Sequence, residues 1–279
     1  MPAEQHAGQT VKTGLRYGLL VALAAIVLFP IVITVVNSLL APDKIAARPP
    51  TLFPTHPDWS TYGTALGQGH LAVYLRNSFI VAALITSAQV TTAVLAAYAF
   101  AFLRFPLRNA LFVVFLSTLM VPFEVTILTN RATIVSLGWF DSYPALVVPF
   151  LATGFGAFLL RQAFLQVPKD LQDAAALDGY GHWRFMTRVV VPLARPAIGA
   201  LAVFSFLSAW NQYLWPLIVT DSDSVRTVQI GLRQLRATSL DQVNVTFAGT
   251  ILAALPIFVL LIVFQKQLVR GLTAGAVKG

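Results

Sequence analysis

Residues 173–192, DAAALDGYGHWRFMTRVVVP, form a polar, helix-prone stretch between two long apolar runs. Pro168, just before the stretch, suits the start of a helix, and the Ala-rich residues 174–177 favour its continuation. Gly179 can adopt the left-handed conformation that ends a helix. Apolar side chains then recur at helical spacing over residues 185–190. The stretch therefore predicts two short helices that lie outside the lipid and form a docking element.

The composition of the whole chain indicates a membrane protein. Hydrophobic residues make up 57% of the 279 residues and the mean hydropathy is +0.74, which is too apolar for a soluble globule. Runs of about 20 residues without charge mark candidate spanning helices, because lipid leaves the backbone no other way to satisfy its hydrogen bonds. Six such runs predict an all-α protein with six transmembrane helices: 17–42, 77–103, 109–130, 142–160, 196–220 and 242–265.

The predicted organisation is a short tail, residues 1–14, followed by one transmembrane domain, residues 15–279. Within that domain, the loop of residues 161–195 contains the docking stretch. The first apolar run could also be read as a cleaved signal peptide, because Lys12 and Arg16 precede it. Its uncharged length is about twice the roughly 7–15 residues of a cleavable apolar region, which favours a retained helix.

The distribution of charge predicts the orientation of the chain. With the N-terminus inside, twelve of the nineteen Lys and Arg residues fall in inner segments and seven in outer segments. The inner segments then carry a net charge of +8 and the rest of the chain none. Because inner loops of membrane proteins are enriched in Lys and Arg, both termini and the docking stretch are predicted to be cytoplasmic. The positive charge then faces anionic lipid and does not indicate binding of nucleic acid.

Several kinds of chemistry find no support in the sequence. The chain has no cysteine, and its four histidines are scattered, so neither a thiol nucleophile nor a metal site is predicted. Paired acids and a nucleophile elbow are missing from the predicted spans, which argues against an intramembrane enzyme. The sequence also lacks the Gly-x-x-x-x-Gly-Lys-Ser/Thr loop that would bind ATP. No catalytic residues and no cofactor are therefore predicted for this chain.

Polar side chains inside the predicted spans are candidates for a solute pathway, because polar atoms are costly in lipid and usually face a cavity or a partner. The candidates are Glu124 and Asn130 in the third span, and Trp210, Asn211, Gln212 and Tyr213 in the fifth. Asn211 and Gln212 could instead hold helices together, and the aromatic residues could form a belt at the outer interface. Glu124 could be hydrated or paired with Arg131.

The spacing within the docking stretch resembles a loop motif of permeases from bacterial ATP-binding-cassette (ABC) importers. That motif reads EAA, three residues, Gly, nine residues, Ile, one residue, Leu-Pro. The matching positions here are Asp173, Ala174, Ala175, Gly179, Val189, Val191 and Pro192. Asp for Glu and Val for Ile and Leu are conservative departures. Resemblance to the carbohydrate-type, maltose-permease-like group extends over most of the chain from about Tyr74, including residues 74–78, 104–106, 210–217 and 271–279.

This resemblance implies the MetI-like permease fold and a set of partners. The partners are a sister permease, a dimer of ABC ATPases that binds ATP and Mg, and an extracytoplasmic solute-binding protein. The resemblance places the chain in a bacterial cytoplasmic membrane as a multi-pass subunit. Contact with the ATPase would be made by Asp173, Ala174, Ala175, Asp178, Gly179 and Pro192.

Three pieces, residues 104–109, 118–125 and 210–217, are most similar to permeases of glycerol-3-phosphate importers. The solute implied is glycerol-3-phosphate or a related glycerophosphodiester. A sugar or an oligosaccharide remains an alternative, because permeases for those solutes share much of the same sequence. An ion-coupled secondary transporter is an alternative of another class, although five uncharged spans argue against a proton relay.

Overall fold

The computed structural model describes residues 2–47, 49, 51, 53–238 and 241–273, and these residues contain helices and connections but no β-strand. The α-helices are α1 (Pro2–Ser38), α2 (Pro42–Ile45), α3 (Ser60–Gly67), α4 (Leu71–Phe102), α5 (Arg108–Ser117), α6 (Phe123–Ser136), α7 (Tyr143–Val147), α8 (Gly154–Phe164), α9 (Lys169–Leu177), α10 (His182–Phe185), α11 (Val191–Leu193), α12 (Arg195–Trp210), α13 (Leu214–Val219), α14 (Val228–Thr238) and α15 (Val243–Thr273). Single 3₁₀ turns cover Gln68–His70, Thr118–Met120 and Val148–Phe150, and a π-helix covers Met186–Val190. Residues 274–279 of the matching C-terminal segment lie outside the described residues.

Three helical segments are long and apolar enough to cross a membrane unbroken: Thr13–Ser38, Leu71–Phe102 and Val243–Gln267. The first helix begins at Pro2, inside the predicted tail. Three further pairs of segments pass the same test but are bent, by 92° at Val121, by 43° after Phe150 and by 79° at Ala194. The described residues therefore supply three unbroken candidate spans, or up to six when each bent pair is one span.

The bends interrupt three of the six candidate spans among the described residues. Pro122 follows the first break, and the residue before a proline is driven out of the α conformation, as the extended Val121 is (φ −88°, ψ 109°). Thr153 is likewise extended before α8. The predicted fifth span also contains a break, because α12 ends at Trp210 and α13 begins only at Leu214.

The chain divides into two compact units. The first comprises Met1–Gly69 and Gln234–Leu252. Within it, the Ser38 and Tyr62 hydroxyls are 2.8 Å apart, and the Asn244 amide donates to the Thr61 hydroxyl over 3.4 Å. These bonds join the ends of α1 and α15 to α3.

The second unit comprises His70–Arg233 and Ala253–Gly279, and its centre is α4 packed against α8 and α12. Small residues allow the three helices to approach closely, as is common in membrane proteins. A Cβ atom added to Gly156 of α8 would lie 3.1 Å from the Ala93 Cβ of α4 and 3.1 Å from the Leu201 Cδ2 of α12. Gly156 is thus the point at which all three helices meet.

We expect Gly156→Leu to destabilise the protein by about 1–3 kcal/mol, because overpacking of a close helix contact forces the neighbours apart. The melting temperature in detergent measures this effect. Gly18→Leu is the matched control, because a Cβ atom at Gly18 of α1 meets nothing within 4 Å. Equal melting temperatures for Gly156→Leu and the wild type would show that the three-helix contact is looser than described.

Candidate functional site

The end of α9 is fixed by a complete Schellman motif. The Gly179 N–H donates to the Ala176 carbonyl over 3.0 Å, and the Tyr180 N–H donates to the Ala175 carbonyl over 2.8 Å. Gly179 has a φ of 75°, a left-handed conformation in which only glycine avoids a penalty. The chain therefore leaves α9 in a defined direction, toward Gly181 at the start of α10.

One side of this docking segment is buried in the second unit. Ala175, Phe185, Met186 and Val190 are buried. They belong to one apolar cluster that also contains the following residues of α4, α8 and α12 and the connection before α12: Ala93, Ala97, Tyr98, Leu160, Phe164, Ala194 and Leu201. The Tyr98 hydroxyl also lies 3.0 Å from His182 Nδ1. Because close-packed interiors transmit displacement, a push on α9 would reach α4, α8 and α12 directly.

The other side of the docking segment is exposed. Asp173, Ala174, Asp178 and Gly179 lie on this face, whereas Ala175 faces the core and Pro192 is half-buried in α11. Leu177 is 90% exposed and Trp183 is 70% exposed. Large exposed apolar side chains on a segment that also exposes acids are suited to contact with a protein partner. Sequence spacing marked the small and acidic residues of this face but missed Leu177 and Trp183.

A π-helix follows α10 in the docking segment. It occupies Met186–Val190, between α10 and α11, and the chain then bends at Ala194 before α12 begins. Pro192, the last residue of the docking stretch, lies within α11, and the helical path ends at Leu193. Single π-helical turns occur frequently at functional sites.

A second feature is a cavity of about 180 Å³ where three helix breaks meet. The start of α6 contributes Phe123, Glu124 and Ile127, and the 3₁₀ turn before α8 contributes Phe150. The break after α12 contributes Gln212 and Tyr213, and the start of α13 contributes Leu214 and Trp215. Broken helices that surround a cavity are tolerated in membranes because the cavity solvates the freed backbone groups. Gln212 Oε1 is buried without a hydrogen-bond partner among the described residues, so an acceptor is available here.

The predicted pathway residues do not all line the cavity. Glu124, Gln212 and Tyr213 line the cavity. Trp210 does not, because it is only 1% exposed and its indole N–H donates to the Ala253 carbonyl over 3.2 Å. Asn211 holds helices together, since its Oδ1 accepts a hydrogen bond from the Gln229 amide over 3.3 Å. Of the run 210–213, Gln212 and Tyr213 therefore line the cavity, whereas Trp210 and Asn211 do not.

Asn130 and Arg131 of α6 are not among the residues that line the cavity. The Asn130 amide donates to the Thr126 hydroxyl over 3.2 Å, within the same helix. Arg131 donates to the Ile218 carbonyl over 2.9 Å and is not among the ion pairs of the described residues, so the suggested pairing with Glu124 is absent there. Glu124 itself is exposed in the first turn of α6.

Arg233 of α14 contacts Tyr213, one of the residues that line the cavity. One of its guanidinium nitrogens donates to the hydroxyl of Tyr213. Arg233 lies twenty residues beyond Tyr213, so no local pattern could bring the two together. Among the described residues, no group of three or more His, Asp and Glu side chains lies close enough to hold a metal ion.

A hydrogen-bonded loop ties the end of α13 to the start of α7. Asp141 Oδ1 accepts from the backbone N–H groups of Asp221 (2.8 Å) and Ser222 (3.0 Å), and the Asp141 N–H donates to the Val219 carbonyl over 2.9 Å. Burial raises the pKa of the Asp141 carboxyl, but hydrogen bonds from Asp221 and Ser222 outweigh burial and hold the pKa below its usual value. Asp141 has a φ of 58°, which Asn also tolerates.

We expect Asp141→Ala to lower the free energy of unfolding by about 1–3 kcal/mol at neutral pH, because two backbone donors lose a charged acceptor. A lowered pKa gives stability that is present above the unfolded pKa and lost as the pH falls through the folded pKa. A second variant, Asp141→Asn, keeps an acceptor oxygen but loses its charge. The greater stability of the wild type over Asp141→Asn should therefore disappear in the acidic range. Thermal unfolding in detergent across a pH series measures it, and a constant advantage at every pH would contradict this account.

The chain matches a family model and is similar in sequence to known permeases. Residues 89–274 match the family model described as binding-protein-dependent transport system inner membrane component. The sn-glycerol-3-phosphate transport system permease protein UgpE of Yersinia pestis is 36% identical over 255 residues, covering 88% of this chain and 91% of that protein. The proteins of the same description from Rhizobium meliloti and Brucella abortus are 38% and 37% identical at the same coverage of both chains.

Two solved structures have a fold similar to that of this chain. A chain of a bacterial ABC transporter involved in the import of the acidic polysaccharide alginate has a TM-score of 0.79 at 20% identity, over 90% of this chain and 94% of that one. A chain of the alginate ABC transporter in complex with a pentasaccharide-bound periplasmic protein has a TM-score of 0.62 at 12% identity, over 90% of this chain and 92% of that one. The predicted all-α importer-permease fold is confirmed.

Proposed function

Because the chain belongs to the family of binding-protein-dependent transport system inner membrane components, we propose that it forms half of the translocation pathway of a bacterial ATP-driven importer for sn-glycerol-3-phosphate or a related glycerophosphodiester. It is an integral membrane permease component, and ATP hydrolysis is the work of partner subunits. The substrate assignment is supported by relatives at 36–38% identity that are named as sn-glycerol-3-phosphate permeases.

The observation that carries the mechanism is the docking segment. Its exposed face offers Leu177, Trp183 and the acids Asp173 and Asp178 to an ATPase. Its buried face, through Ala175, belongs to the core of α4, α8 and α12. In the proposed cycle, closure of an ATPase dimer on ATP and Mg pushes α9, and the rigid cluster passes that movement to the helices around the cavity.

The remaining partners follow from the same assignment. A sister permease supplies the other half of the pathway, and an extracytoplasmic solute-binding protein delivers the solute. Both termini and the docking segment are then cytoplasmic, as the excess of Lys and Arg in these segments favours. A sugar or oligosaccharide importer is the alternative for the solute, and the likeness to the alginate transporter bears on the fold alone.

Purification of the complex with its neighbouring subunits tests the assignment. We expect an ABC ATPase to co-purify, and ATP hydrolysis to rise when a binding protein loaded with sn-glycerol-3-phosphate is added. Stimulation by a maltose-loaded binding protein alone would favour the sugar alternative. Solute uptake that needs an ion gradient and no ATP would support the secondary transporter instead.

A further inference from the structure

The cavity lacks a cation of its own, although the proposed solute carries a phosphate. Its lining contains one carboxylate, Glu124, and one amide, Gln212, among aromatic and apolar side chains. A carboxylate repels phosphate, whereas arginine binds it with charge-assisted hydrogen bonds. A guanidinium or ammonium group from a neighbouring element would supply the counter-charge that this lining does not offer to a phosphorylated polyol.

The helix α14 supplies such a group and is held in place by contacts with α4 and α12. The backbone N–H of Val228 donates to the Ser78 hydroxyl over 2.7 Å. A Cβ atom at Gly231 would lie only 2.2 Å from Tyr74 Cδ2, so α14 runs tightly against that buried ring. Gln229 bonds Asn211 at the break after α12. Arg233 is thus presented by a fixed helix.

The charge of Arg233 is free to act on a ligand. Within the part of the chain that the structure describes, the ion pairs involve only His70, Asp221, Asp223 and Arg226, so Arg233 has no carboxylate partner there. The side chain is exposed, and among the described residues the Arg233 guanidinium bonds only Tyr213, through one of its nitrogens. A guanidinium has five N–H donors, so its other edge can hold a phosphate in two parallel bonds.

The cavity and Arg233 together offer hydrogen-bond donors at one end and acceptors at the other. Tyr213 accepts a hydrogen bond from Arg233, so its own O–H can point to a phosphate oxygen. At the cavity, the unpartnered Gln212 Oε1 and the Glu124 carboxylate can only accept, which suits the hydroxyl groups of a polyol.

We propose that Arg233, oriented by Tyr213, binds the phosphate of the passing solute while Gln212 and Glu124 accept hydrogen bonds from its hydroxyl groups. The proposal rests on the proposed function, and it assigns the recognition of phosphate to a residue of this chain. The solute-binding protein delivers the ligand, and Arg233 then takes its charged end.

Transport by the reconstituted complex tests this assignment, with saturating binding protein loaded with sn-glycerol-3-phosphate. We expect Arg233→Gln to lower the initial rate of uptake at least about tenfold, the loss expected for one charge-assisted hydrogen bond. Arg233→Lys should retain more transport than Arg233→Gln, because it keeps the charge. The matched control is Arg236→Gln, an exposed arginine one turn further along α14, which should transport at the wild-type rate.

The number of solute molecules carried per ATP separates recognition from a merely structural role. ATP hydrolysis stimulated by the binding protein should persist in Arg233→Gln, so this ratio should fall. Uptake at the wild-type rate by Arg233→Gln would overturn this inference but leave the proposed function standing. Equal loss of uptake in Arg233→Lys and Arg233→Gln would do the same. A wild-type complex that carries no glycerol phosphate would overturn the proposed substrate and with it this inference.

Discussion

Leu177→Asp is expected to weaken association with the ATPase at least about 30-fold and to abolish most ATP-driven uptake. Leu177 is 90% exposed at the end of α9, so the substitution leaves the interior of the permease unchanged. In a docked complex the same position is covered, and a charge buried there without a partner is costly. A central interface residue contributes about 2 kcal/mol or more, which corresponds to that loss of affinity.

Co-purification of the ATPase and the rate of ATP hydrolysis measure the effect of Leu177→Asp. The matched control is Leu107→Asp, because Leu107 is 74% exposed on the hairpin between α4 and α5, outside the docking segment. We expect the control to retain its ATPase and the melting temperatures of both variants to equal that of the wild type. If Leu177→Asp keeps normal ATPase association and uptake, the docking surface is assigned wrongly.

Gly179→Val is expected to reduce uptake by about tenfold or more even where the ATPase remains bound. The Schellman motif requires a φ of 75° at this position, and a residue with a side chain is penalised there by about 1–2 kcal/mol. Valine, which is branched at Cβ, is among the least tolerant. A Cβ atom at Gly179 meets nothing within 4 Å, so the penalty comes from backbone conformation alone. The direction in which the chain leaves α9 should therefore change.

Gly179→Asn separates conformation from size, because asparagine tolerates the left-handed region. It adds a side chain in the same open space, and we expect it to keep most of the wild-type uptake. The ratio of solute carried to ATP hydrolysed in proteoliposomes measures the coupling in both variants. Equal impairment of the valine and asparagine variants would mean that a partner needs the bare glycine surface, and that the helix cap is not the cause.

Charge and hydropathy were sufficient to locate the apolar segments but not their shape. A charge-free run has the same composition whether its helix is straight or broken, so residues 109–130 gave no sign of the 92° bend. Pro122 was visible in the sequence, yet proline within a membrane helix is often tolerated. The break at residues 211–213 contains no proline, but Pro216 lies four residues after Gln212, and a proline at that spacing clashes with the Gln212 carbonyl of a continuous helix.

The spacing of the docking stretch predicted its helices well because the signals there are local. Pro168, the alanines and Gly179 act on their immediate neighbours, and the cap has the expected form. Arg233 could not be assigned to the cavity in the same way, because its contact with Tyr213 depends on how α14 packs against α4. Trp210 could not be assigned to the interior either, since its partner, the carbonyl of Ala253, is 43 residues away.

The most direct test of the account is ATP-driven uptake of labelled sn-glycerol-3-phosphate into proteoliposomes that contain this chain, its sister permease and the ATPase dimer, with the solute-binding protein outside. The account predicts uptake that requires both ATP and the binding protein and that is not driven by an ion gradient. Uptake that proceeds without ATP, or that is confined to sugars, would contradict it.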